Sequence, residues 1–134
     1  MVLGKGNSKN SSAIFPSLIA GPDECVDFNA IQRNYGESGQ QLFKLFLRQA
    51  PLDLAKLRDA YRESRQLGFR QAVHGFKGVC GTMYAGKMRT TCVELERAAR
   101  EGAESTIPVL LQRLDREMGE AQEFLECKIA QTSR

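Results

Sequence analysis

The sequence predicts an all-α fold, an antiparallel four-helix bundle with a short additional N-terminal helix. Three observations carry this. Apolar residues recur at helical spacing through the chain after residue 25, as in Leu42, Phe43, Phe46 and Leu47, the stripe that an amphipathic helix turns toward a core. No segment sustains period-2 alternation, and no hairpin dipeptide such as Asn-Gly lies between apolar runs, so strands have no signal. The connections between stripes are short, which makes neighbouring helices antiparallel.

The elements follow in order. Residues 1–24 are rich in Gly, Ser, Asn and Pro, a composition that sustains no long regular element and reads as a flexible linker arm. The bundle is expected over residues 25–127, with a tail at 128–134. Asp27 can cap a first short helix, with Val26 and Ile31 placed as a hydrophobic staple, and Gly36 would end it. A second helix is expected from Glu37 to Ala50, after which Pro51 permits either a break or a fresh first turn. Leu54, Leu57 and Tyr61 carry the pattern on to a stop near Gly68. A helix from about Phe69 to Tyr84 comes next, then one from about Lys87 to Arg100 with Met88, Cys92, Leu95 and Ala99 on its core face and Gly102 as its stop. Ser105 or Thr106 can start the last helix, with Pro108 tolerated in its first turn. Ile107, Leu110, Leu111, Leu114, Met118, Ala121 and Leu125 form its stripe.

Size and balance bound the function. With 134 residues, 42% of them hydrophobic and 26% charged, the chain suits one domain with one core. No stretch approaches the roughly 18 consecutive apolar residues of a spanning helix, so neither direct membrane contact nor a signal peptide is expected. Cys25, Cys80, Cys92 and Cys127 form no C-x-x-C pair and one histidine is available to join them, which argues against a metal site and for reduced thiols. The net charge of +3 comes from lysines and arginines interspersed with acids, so nucleic acid is not expected as a partner and an acidic protein surface is.

The chemistry concentrates at His74, the sole histidine. On a helix, Phe69, Val73, Phe76, Cys80 and Met83 line one side while Arg70, Gln71, His74, Lys77, Gly78 and Gly81 line the other. The imidazole therefore faces solvent in a positive field suited to an anion. Gly75, Gly78 and Gly81 would together cost about 3 kcal/mol within one helix. Gly78 and Gly81 lie one and two turns beyond His74 on its face, where a missing Cβ lets another protein approach the backbone.

These residues resemble the histidine-containing phosphotransfer (HPt) domains of multistep phosphorelays. His74, Phe76 in place of a usual leucine, Lys77 and Gly78 are followed by Gly81 and Ala85, and then by Cys92, Leu95 and Glu96 on the next helix, with the likeness covering about residues 26–126. Tyr84 stands where the family usually has a turn glycine, with Gly86 two residues later able to supply the break. The resemblance implies a phosphorelay intermediate that accepts a phosphoryl group from a receiver-domain aspartate on His74 Nε2 and passes it to another. It implies that Lys77 helps neutralise the phosphoryl charge, as the placement of Arg70 one turn before His74 also allows, and that Glu96 matches the residue that orients the imidazole. Arg70, Gln71, Lys77, Met83 and Lys87 would set receiver choice.

No nucleotide-binding loop is present, so the chain is expected to have no kinase activity and no cofactor of its own, with Mg2+ held by the partner receiver. A cytoplasmic monomer is expected, as the C-terminal domain of a hybrid sensor kinase or as a free-standing relay protein. The alternative is a non-catalytic helical scaffold that binds a receiver without phosphotransfer. A hydrolase using His74 as base lacks a nucleophile on the exposed face of its helix.

Overall fold

The computed structural model describes residues 26–132 of the chain. Five α-helices follow one another: α1 (Phe28–Tyr35), α2 (Ser38–Arg62), α3 (Gln66–Thr82), α4 (Gly86–Glu101) and α5 (Ile107–Thr132), with a 3-10 turn at Glu104–Thr106 before α5. Among the described residues there is no strand. The linker expected over residues 1–24, and Cys25, lie outside the described residues.

α3 packs between α2 and α4, α4 against α5, and α5 closes the ring on α2, giving the four-helix bundle. Its core takes Phe43, Phe46, Leu54 and Leu57 from α2, Phe69, Val73, Phe76 and Cys80 from α3, Met88, Cys92 and Leu95 from α4, and Leu114, Met118 and Leu125 from α5. α1 covers one end. The Asp27 carboxylate accepts from the Ala30 amide at 3.0 Å to cap it, Val26 and Ile31 are fully buried, and the Phe28 ring stacks on Phe43 at 5.4 Å.

Four details depart from the sequence-based expectations. α2 is one continuous helix with Pro51 inside it. Phe43, Phe46, Ala50, Leu54 and Leu57 lie on one buried face to either side of the proline, and that shared burial outweighs the roughly 3 kcal/mol a mid-helix proline costs. The break after α2 falls at Ser64, not at Gly68, and α3 begins at Gln66. The core face of α4 uses Ala98, 6% exposed, with Ala99 only half-buried. Finally, α5 continues through residues 128–132, where a tail was expected, because Lys128 lies over the Phe28 and Phe124 rings and Ile129 packs on the core.

The α3–α4 turn also differs from expectation. Tyr84 itself adopts a left-handed conformation, φ 53°, while Gly86 is already the first residue of α4. The Tyr84 carbonyl accepts from the Asp27 amide at 3.1 Å, and its hydroxyl accepts from Asn34 Nδ2 at 2.7 Å. These bonds tie α1 to the turn and offset the 1–3 kcal/mol that such a backbone typically costs a bulky residue.

Candidate functional site

α3 and α4 present facing side chains where they run side by side. Along α3, Phe69, Val73, Phe76 and Cys80 are buried, which fixes the helix rotation and leaves His74 pointing outward with its side chain 72% exposed. Leu95 and Ala98 anchor α4 in the same way, and Glu96 between them leans toward α3. Its carboxylate bridges both residues: Oε2 accepts from His74 Nδ1 at 2.8 Å and Oε1 accepts from Lys77 Nζ at 2.7 Å.

The electrostatics fix the tautomer. Partial burial pushes the Glu96 carboxyl up, but hydrogen bonds from Lys77 and then His74, together with their charges, outweigh it and hold the group below the usual carboxylate range. An ionised Glu96 can only accept, so a neutral His74 carries its proton on Nδ1 and its lone pair on Nε2, the nitrogen turned away from α4. The site thus offers an oriented nitrogen nucleophile whose second nitrogen is already committed.

A depression of about 380 Å³ adjoins it, lined by Leu67, Arg70, Gln71, His74, Glu96 and Arg100. Arg70 and Gln71 therefore share a surface with His74, as their spacing predicts. Leu67 and Arg100 had not been singled out. Arg100 had a signal, four residues beyond Glu96 and so one turn along the same face of α4, whereas Leu67 falls in a turn of α3 placed there by the unexpected start of the helix.

Beyond its own turn of helix, a Cβ added at Gly78 would meet nothing within 4 Å, and neither would one at Gly75. At Gly81 it would touch the Arg89 side chain at 3.7 Å, so that position faces α4 more than open solvent. Met83 is 1% exposed and does not belong to the surface around His74. Its place at the end of the α3 core stripe explains this.

The remaining nucleophiles lie elsewhere. Cys80 and Cys92 are buried free thiols, and their mutual hydrogen bond, followed by burial, pushes the Cys80 thiol far up, keeping it protonated. Among the described residues, no three His, Cys, Asp or Glu side chains converge on a common point that would hold a metal. No helix in that range is long and apolar enough to cross a membrane.

Comparison with known proteins gives two findings. The family model described as Hpt domain matches residues 41–124, from the first turn of α2 into α5. Among solved structures, that of histidine-containing phosphotransfer protein B (HptB) from Pseudomonas aeruginosa PAO1 is similar at a TM-score of 0.75 and 23% identity, over 84% of this chain and 98% of that one. The likeness in structure is one of fold. No curated protein matches the chain.

Proposed function

We propose, since this chain belongs to the Hpt domain family, that His74 is its phosphoacceptor and that it relays phosphoryl groups between receiver-domain aspartates. The observation that carries this is the His74–Glu96 bond, which presents Nε2 to solvent with its lone pair free. In the forward step Nε2 attacks the phosphorus of an aspartyl phosphate in line. The N–P bond forms as the P–O bond to the aspartate breaks, and the carboxylate leaves with the electron pair. The Nδ1 proton stays held by Glu96, which stabilises the cationic ring as the N–P bond develops.

Lys77 completes this arrangement. Its ammonium cancels the charge of Glu96, so that the carboxylate needed to orient the ring does not repel the incoming phosphoryl group. Gly78 leaves the backbone beside His74 bare for the partner, and Gln71 lies at the edge of the same contact. Mg2+, where acyl phosphate chemistry needs it, comes with the receiver. The context that we propose is the cytoplasmic end of a hybrid sensor kinase, which the linker-like composition of residues 1–24 supports.

The test is label transfer from a phosphorylated receiver. Acid-labile label is expected on the native chain and none on His74→Gln. Receiver binding without any label would reject the relay and favour a scaffold.

A further inference from the structure

The phosphoryl group that the proposed function places on His74 carries close to two negative charges, and Lys77, the cation that the family resemblance assigns to it, is already engaged. Lys77 Nζ is bound to Glu96 at 2.7 Å and is only 23% exposed. It also lies on the Nδ1 side of the imidazole, since both it and Nδ1 bind the same carboxylate, whereas the phosphoryl group would sit on Nε2.

Two other cations border the histidine. Arg70 precedes His74 by four residues on α3, Arg100 follows Glu96 by four on α4, and both line the depression that His74 and Glu96 also line. Both are exposed. Neither side chain makes an ion pair or hydrogen bond among the described residues, so both guanidinium groups are free to meet an anion. Two unpaired guanidinium groups, brought by different helices to one concave surface beside a nitrogen nucleophile, match the planar, multiply accepting face of a phosphoryl group.

We infer that Arg70 and Arg100 clamp the phosphoryl oxygens on His74, and that Lys77 acts on Glu96 as a positioning residue without touching the phosphoryl group. This rests on the relay reading above. In the transfer step the arginines receive charge that builds on the non-bridging oxygens while the N–P bond forms and the donor's bond breaks, and afterwards they hold the phosphohistidine against hydrolysis.

Phosphoramidate, a small nitrogen-linked donor that releases ammonia on transfer, separates contact with phosphoryl from docking of a partner. The native chain and variants are labelled with it and, in parallel, with a phosphorylated receiver. Arg70→Ala and Arg100→Ala are each expected to slow labelling by phosphoramidate about tenfold, and the double variant about a hundredfold. Arg48→Ala, which removes a charge outside the depression, should leave the rate unchanged. Circular dichroism of the exposed-arginine variants should match the native chain. Lys77→Met should slow labelling in the native background but add little in a Glu96→Gln background.

Slowing with the receiver alone would show that the arginines only dock the partner, and would overturn the clamp. So would full rates with both donors, or a Lys77→Met effect as large in the Glu96→Gln background as in the native one. A native chain that accepts label from neither donor fails at the relay reading itself, and the clamp falls with it.

Discussion

Two carboxylates on facing helices titrate in opposite directions. Glu96 is held below its ordinary range by Lys77 and His74 against the pull of burial. The stability it contributes is present above the unfolded carboxylate pKa and is lost as pH falls through the folded one. Glu117 is 8% exposed, and burial pushes its carboxyl up despite the bond from Thr91 Oγ1 at 2.7 Å and the nearby Arg113. Its contribution is present below the ordinary value and is lost as pH rises through the raised one. Urea denaturation across pH should therefore show Glu96→Gln losing most stability relative to native near neutrality, with the gap closing in acid. Glu117→Gln should show the reverse trend, gaining on native as pH rises from about 4 to 7. At this scale the sequence was informative where faces decide. His74 and Lys77 share a face because 3.6-residue spacing turns them together, and Glu96 meets them from the next helix, at the position the family resemblance points to. Met83 continues the core stripe by the same spacing, and the structure bears out that placement and not the one beside the receiver-facing residues.

The ends of α2, α3 and α4 follow one rule with three different residues. At Ser64, Tyr84 and Gly102 the chain turns left-handed, with φ of 57°, 53° and 71°. In each case the amide of the residue after the left-handed one reaches back along the helix: Arg65 to Ala60, Ala85 to Cys80 and Ala103 to Ala98, all at 2.9 Å. This is the Schellman arrangement. Glycine marks only the third of these ends, so a reading that looks for glycine found Gly102 and misplaced the other two, to Gly68 and Gly86. Ser64 is exposed and its hydroxyl has no role in the turn, so Ser64→Gly should relieve the left-handed cost and stabilise the chain by about 0.5–1 kcal/mol. That corresponds to a rise of about 3 °C in thermal midpoint. No gain, or a loss, would show that the unfolded-state entropy of glycine outweighs the relief. Tyr84 is not equivalent, because its hydroxyl and carbonyl hold α1. The proline inside α2 teaches the same lesson from the other side, since local propensity gave way to a buried face that continues past it.

Across the described residues a single cluster of buried side chains draws on all five helices, and α4 and α5 are cross-linked through Thr91, Arg113, Glu117 and Glu94. One core implies one transition. Leu114→Ala, at a position with no exposure, should cost about 3 kcal/mol and lower the midpoints of far-ultraviolet ellipticity and tyrosine fluorescence together; separated midpoints would mean that the bundle melts in parts. This architecture has a consequence for signalling. His74 stands on α3, which is packed between α2 and α4, and its side chain points outward. The loaded and empty forms of the protein would then have one shape and differ chiefly in charge, by close to two units at one spot. A partner would distinguish them by electrostatic affinity alone, so the direction of traffic would be read from the salt dependence of release and would leave no trace in the carrier's backbone.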